Sequence, residues 1–383
     1  MPASAPHTHV VIAGGGVAAV ELALALGDLA GDRVRLTIVA PDPDFELRAL
    51  RTAEPFAHDH VRGHALGDLA EKVGAELVPE RLVRVHPEEH RVLAGNRTIA
   101  YDALVVAVGA RRETAFQKAL TFTGDTSSID YNGLLADIDE GYAQTVSFVV
   151  PPGTTWPLPL YELALMTARE ARSVGIDNLR LQIVSPESSP LAIFGPKASQ
   201  AMHDLLEGAG IGFRGDTYVR ETTEHRFELL PTREVLDSRR VVALPTIVGP
   251  EIDGLPSDEH GFIRTDEQGH VVGLADVYAA GDGTTFPVKQ GGIACQQADA
   301  IAELLAAAAG APVRPEPFRP VLRGHVLTGP GTQYLEHALH GGDGEGPDSE
   351  LQRWSAAHKV EGRYLTPWLE SRQSPAEAAR EGG

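Results

Sequence analysis

Three small residues near the start of the chain set its most constraining chemistry. Gly14-x-Gly16-x-x-Ala19, within VVIAGGGVAAVELALAL (10–26), is the spacing of a strand–turn–helix unit that receives a dinucleotide. Gly14 permits a sharp turn, Gly16 lets a pyrophosphate approach the backbone, and Ala19 lets helix and strand pack closely. The free N–H groups and positive end of the new helix then face the phosphates. A second stretch, ADVYAAGDGTTFPVKQGGIACQQADAIAELLA (275–306), delivers Gly281 and Asp282 at the C-terminal end of a short strand, Val277–Ala280. Lys289 and Gln290 follow, and a long helix is predicted to begin near Gly292. In open α/β folds ligands collect at such an edge.

Other reactive residues are scarce. The single cysteine, Cys295, falls inside the Ala-rich helix, so no internal disulfide and no CxxC dithiol is available. Ser147–Thr167, SFVVPPGTTWPLPLYELALMT, echoes the first unit, with Glu162 in the place of Glu21. Its loop is two residues longer and holds Pro151, Pro152, Trp156, Pro157 and Pro159 where a phosphate cradle needs glycines. Proline has no N–H to donate, so the echo reads as a second unit of the same kind whose phosphate site is lost.

Stepping outward to the elements that carry these groups, Val34–Val39 is the next parallel strand. The ribose-binding acid usually found at its end is replaced by Ala40, leaving Asp42 or a backbone group for that role. Arg48 and Arg51 are candidate pyrophosphate partners, with solvated arginines as the alternative. Gly63–Val73 reads as helix, Ala75–Val85 and His90–Leu93 as strands about Pro87, and Tyr101–Gly109 as a buried strand. Arg111–Gly141 reads as an irregular link, after which Leu179–Val184, Ala198–Gly208 and Val241–Leu244 continue a βα alternation. Beyond the Pro-rich Ala311–Phe318, RPVLRGHVLTG reads as a strand, His340–Glu350 as a mobile loop, and the last ten or so residues as disordered. The aromatic stretch Trp354–Leu369 is open to four roles: a ligand pocket, a lipid interface, packing over the first domain, or a homodimer contact.

Composition narrows the partners. With 33 Lys+Arg against 53 Asp+Glu, the net charge of −20 argues against nucleic acid and against anionic lipid. No apolar run reaches bilayer length, so membrane attachment is not expected. A first strand at about Thr8 leaves no room for a signal peptide, and the expected location is the cytoplasm. No metal-ligating cluster stands out.

With both motifs in hand, the chain resembles the FAD-dependent pyridine nucleotide–disulfide oxidoreductase superfamily, in particular its sulfide:quinone oxidoreductase and type II NADH dehydrogenase branch. The resemblance rests on VVIAGGGVAAVELA, LVVAVGA, VYAAGD and VKQGGIACQQAD and covers about the first 310 residues. It implies an α/β fold of two Rossmann-like, three-layer (β/β/α) domains. The FAD domain would be discontinuous (8–115 and 270–312), the second, degenerate NAD(P)-type domain would span 143–250, and a C-terminal segment would occupy 313–383. It implies that Gly14, Gly16, Ala18 and Ala19 hold the FAD diphosphate and that Ala107, Gly109 and Gly281 lie against the cofactor. Asp282 would take a ribityl hydroxyl, and Lys289 and Gln290 would sit at the flavin N1–C2=O edge. Lys289 and Glu162 are the candidate catalytic groups. The expected function is electron transfer from a small donor through FAD to an acceptor such as a quinone, without cysteine chemistry. An NAD(P)H dehydrogenase and a non-catalytic flavin sensor are the alternatives, and NAD(P)H binding is left open.

Overall fold

The computed structural model describes residues 7–56, 61–124, 127–328, 332–338 and 359–372. Two five-stranded parallel sheets carry the architecture. The first contains β1 (Thr8–Ala13), β2 (Val34–Val39), β3 (Glu76–Val78) and β4 (Ala103–Val106). The second contains β5 (Leu120–Thr121), β6 (Thr145–Val149), β7 (Arg180–Val184), β8 (Ile211–Arg214) and β9 (Arg240–Ala243). The chain then returns to the first sheet with β10 (Val277–Ala279). The strand orders are β10-β4-β1-β2-β3 and β5-β9-β6-β7-β8.

Strand alternation makes the first unit three-layered. Val10, Ile12, Leu36, Ile38 and Val105 face α1 (Val17–Leu29) and α6 (Gly291–Ala308). Val11, Ala13, Val39, Leu104 and Val106 face a three-stranded antiparallel sheet of Leu82–His86, Arg91–Ala94 and Arg97–Ala100. Both faces of every central strand are buried, which is why these segments read as near-continuous apolar runs. The second sheet is covered on one face by α3 (Ser127–Asp139) and α4 (Leu158–Ser173) through Tyr131, Leu134, Leu163 and Phe148. Helix α5 (Pro196–Gly208) connects its strands β7 and β8. The two crossings between the sheets pair with each other as a short antiparallel ribbon, Arg111–Glu113 with Thr246–Val248.

A hairpin of β11 (Val321–Leu327) and β12 (Thr332–Ala338) follows. The described chain ends in a segment carrying α7 (Leu365–Glu370), with α2 (Leu66–Val73) nearby through an Arg372–Asp68 pair. No helix among the described residues is long and apolar enough to cross a membrane.

Several expectations need correction. Gly63–Ala65 is a strand, paired with Asp44–Glu46, and only Leu66–Val73 is helical. Arg111–Gly141 is not irregular, because it holds two strands and α3. Since β5 pairs with β9, the second sheet draws on residues well before 143. The segments 340–350 and 374–383 lie outside the described residues, as does Trp354.

Candidate functional site

The glycine turn and the late motif meet at the C-terminal edge of the first sheet. Gly14 closes on the sheet through its N–H to Val39 O (2.8 Å), and it sits at φ +139° with Ala107 O 2.2 Å from where a Cβ would stand. A side chain is thus excluded there by both conformation and contact. Gly16 differs. It is exposed, adopts an ordinary extended conformation, and nothing lies within 4 Å of its Cβ direction. It caps α1 without a side-chain hydrogen bond, and the first turn of α1 carries no acid. The leading N–H groups of α1 therefore face open space that a side chain at residue 16 would fill.

The late strand delivers its turn onto this cradle. A Cβ on Gly281 would rest 3.5 Å from the Ala18 methyl of α1 and 3.6 Å from that of Ala294 of α6. The N-termini of the two helices are therefore side by side. Gly283 packs on the Gly109 carbonyl, 2.7 Å from its Cβ direction, so the turns after β1, β4 and β10 form one crest. Gln297, which the sequence reading did not single out, fixes this turn by accepting the Gly281 N–H at 2.7 Å.

Asp282 follows directly, half-buried on the crest, and its carboxylate has no hydrogen-bond partner among the described residues. Enclosure raises its pKa, partly offset by the cations of Lys289 and Arg112. An acceptor-only group left unpartnered in a half-enclosed place suits a hydroxyl-bearing ligand. Lys289 is less free than expected. Its Nζ donates to Thr284 O (2.5 Å) and Phe286 O (2.8 Å) and lies 3.9 Å from the Phe262 ring centroid. Burial lowers its pKa to about 8 against the pull of Asp282 and Asp258, so the charge is held near the crest but clamped to a loop. Gln290 is also committed: its Oε1 caps α6 at Ile293 N–H (2.8 Å) and its Nε2 donates to Arg323 O (3.0 Å). Whatever meets this corner finds the backbone N–H groups of α6 rather than the Gln290 amide.

Glu162, a catalytic candidate from the sequence, is held by partners within the fold. It is buried, accepts from Thr52 Oγ1 and from Leu327 N–H (both 3.0 Å), and ion-pairs with buried Lys359. Lys359 also donates to His325 O at 2.6 Å. Glu162, Lys359, His325, Trp156, Gln290 and Gly291 line a chamber of about 50 Å³. Trp156 packs on Phe194 with centroids 5.6 Å apart, filling the loop where the echo of the first unit would have held phosphate. Asp42 and Arg48 are exposed beside β2. Arg51 is tied to Glu46 (2.5 Å) and Glu54 (3.4 Å), so it is not a spare phosphate ligand. Cys295 is fully buried, and its thiol pKa is pushed well up by that burial and by Glu21 and Asp299.

Comparison with known proteins agrees with this geometry. Residues 2–138 match the profile of the pyridine nucleotide-disulphide oxidoreductase family. Among solved structures, the sulfide:quinone oxidoreductase of Aquifex aeolicus superposes with a TM-score of 0.75 at 19% identity, covering 85% of this chain and 83% of that one. A ferredoxin reductase from Rhodopseudomonas palustris gives 0.61 at 20% identity (83% and 80% covered). An NAD-dependent persulfide reductase from A. fulgidus gives 0.60 at 16% (85% and 63%). No curated protein matches by sequence. Fold and site together define a two-Rossmann α/β protein with an open dinucleotide-type cradle at the edge of its first sheet. The likeness to that family thus covers the N-terminal third of the chain, and the likeness to the solved structures is one of fold. The residues present fit FAD, the cofactor implied by the sequence resemblance, because the open cradle over Gly16 and Asp282, without a hydrogen-bond partner among the described residues, are complementary to a diphosphate and a polyol.

Proposed function

We propose that this protein passes an electron pair from a small donor to an acceptor such as a quinone, directly at the flavin and without a thiol relay. Bound FAD would supply the two-electron chemistry. In this reading the α1 N-terminus, with Gly16, Ala18 and Ala19, holds the diphosphate, and Ala107, Gly109 and Gly281 allow close approach. Asp282 orients the ribityl chain. The N-terminus of α6, with the Lys289 charge behind it, favours negative charge at the ring edge. The observation that carries the reading is the state of the only cysteine. Cys295 is sealed inside α6 with its pKa raised, and a thiol in that state is neither nucleophile nor dithiol partner. Glu162 and Lys359 act as a buried strut behind the chamber rather than as proton donors.

The test is anaerobic reduction of the FAD-loaded protein by candidate donors, followed by reoxidation with a quinone. Cys295→Ala should keep the FAD content and turnover within about twofold, since it removes a small buried group worth about 1 kcal/mol of packing. A loss above tenfold at unchanged FAD content would overturn the reading.

A second reading, an NAD(P)H dehydrogenase, is favoured by one feature of the second unit. Gly153, at φ +78° with no atom within 4 Å of its Cβ direction, leaves an exposed turn before α4. Against it, Glu187 just past β7, at the usual ribose-acid place, is occupied by Tyr161 Oη (2.7 Å) and Ser185 Oγ (2.9 Å). Stopped-flow bleaching of the flavin by NADH or NADPH separates the two readings.

A further inference from the structure

The segment 359–372 lies across the molecule as a strap. Lys359 pairs with Glu162 of α4. Val360 covers the start of α6 so closely that a Cβ on Gly291 would stand 2.8 Å from it. Trp368 packs against His64 (5.4 Å) and Phe45 (6.3 Å), and Arg372 pairs with Asp68. At the middle of the strap, the N–H groups of Tyr364 and Leu365 donate to the carboxyl of Glu21 on α1, at 2.9 and 2.5 Å.

Glu21 is fully buried, and Asp299 of α6 lies within hydrogen-bonding reach of it. Asp299 Oδ1 is buried with no partner among the described residues. The Cys295 thiol completes the pocket, and Gly362 closes it: a Cβ there would stand 2.7 Å from Glu21 Oε2 and 2.9 Å from Cys295 Sγ. The other charged and titratable groups that face the pair are Asp28 on α1, Glu303 on α6, and Arg363 and Tyr364 on the strap. Arg363 is committed to Glu303 at 3.0 Å and is more than half exposed (57%), and among the described residues no cation pairs with Glu21 or Asp299. Two carboxyl groups enclosed this way hold one proton between them.

We propose that this shared proton is a latch: the strap lies closed over α6 while Glu21 and Asp299 hold it, and lifts when it is lost. Loss of the proton leaves two like charges, one buried and one half-buried, beneath the strap, and lifting the strap hydrates them. Burial raises Glu21 against its hydrogen bonds from the strap N–H groups and Asp299, which lower it, and burial together with the Glu21 charge raises Asp299 to about 8, so the proton resides on Asp299. In the lifted state they return to about 4. The closed form therefore binds a proton that the open form releases. Closure is favoured by acid, opening rises up to about tenfold per pH unit between those two values, and it levels above about 8. Taken with the flavin reading above, lifting removes Lys359 and Val360 from the wall of the chamber at the α6 N-terminus.

The test is backbone hydrogen exchange of the full chain over 359–372 from pH 6 to 9, normalised to intrinsic rates and run without and with FAD. Protection should fall about tenfold per pH unit up to pH 8 and then level. The double variant Glu21→Gln/Asp299→Asn has no proton to lose between the two positions, so its profile should be flat. Each single variant leaves one carboxyl raised by burial alone, so its slope should level at a lower pH than in the wild-type chain, and these serve if the double variant does not fold. Flat protection in the wild-type chain, or a wild-type profile in the variants, overturns the latch. A slope in FAD-free protein supports the latch whether or not the flavin reading holds.

Discussion

Gly16→Ala and Gly14→Ala, two residues apart in the same turn, separate cofactor recognition from folding. Gly14 has its Cβ direction 2.2 Å from Ala107 O and a φ of +139°. An alanine there adds conformational strain of about 1–3 kcal/mol and overpacking of similar size, so Gly14→Ala should cost about 3 kcal/mol or more of stability even without FAD. Gly16 has φ −88°, ψ −170° and no atom within 4 Å of its Cβ direction. Alanine at this N-cap should cost the FAD-free protein under about 1 kcal/mol. The added methyl nevertheless occupies the approach of the diphosphate. One lost charge-assisted hydrogen bond (about 1.5–3 kcal/mol) and local overpacking (about 1–3 kcal/mol) together remove at least about 3 kcal/mol of binding. That is roughly a hundredfold in Kd. Urea unfolding of the FAD-free proteins, paired with fluorescence titration of FAD, measures both quantities. Gly16→Ala protein binding FAD within threefold of wild type would refute the placement of the diphosphate on α1.

Asp282→Asn should have opposite effects on the two states. The raised pKa of Asp282 means that the folded, FAD-free protein loses stability as pH rises from the unfolded value of 3.8 through the folded one, so the amide should stabilise it at pH 7. FAD affinity should fall at least about tenfold as the charged acceptor is lost; a fall in both stability and affinity would show Asp282 to be a structural carboxylate. The Glu162–Lys359 pair should show a coupling of about 2 kcal/mol or more in a double-mutant cycle with Glu162→Gln and Lys359→Met. Breaking a buried pair costs about 3–5 kcal/mol and removing both halves far less. Coupling below about 0.5 kcal/mol would put the pair among exposed ones. Lys289→Met should lower the flavin midpoint potential below pH 8 and remove an inflection near that pH, where the wild-type charge is lost; an unchanged potential would reduce Lys289 to its clamp on Thr284 and Phe286.

The first βαβ unit was legible because buried parallel strands and a glycine turn impose local sequence requirements, and β2 falls on Val34–Val39 as read. Helix α3 was not read, although Tyr131, Leu134 and Ile138 recur at helical spacing and are buried. Gly133 and the surrounding Asp and Asn residues obscured that stripe. The glycine turn at Gly14 and Gly16 was legible because its backbone demands are local, which sequence spacing encodes. The partners of Lys289, Gln290 and Glu162 were not, because each depends on a carbonyl or cation brought in by tertiary folding, up to 197 positions away for Glu162 and Lys359. The pairing of Glu21 with the strap, 344 positions distant, leaves no local signal at all.

The return of β10 to the edge of the first sheet bears on how the polypeptide matures as it leaves the ribosome. All five strands of the second sheet, from Leu120 to Ala243, emerge before Val277–Ala279, so the inserted unit can complete itself while its host is still one strand short. During that interval Ala103–Val106, an apolar strand, offers an unpaired margin that any other nascent chain could join. Translation products that stop short of residue 277 should accordingly be aggregation-prone, whereas the segment that forms the second sheet need not be.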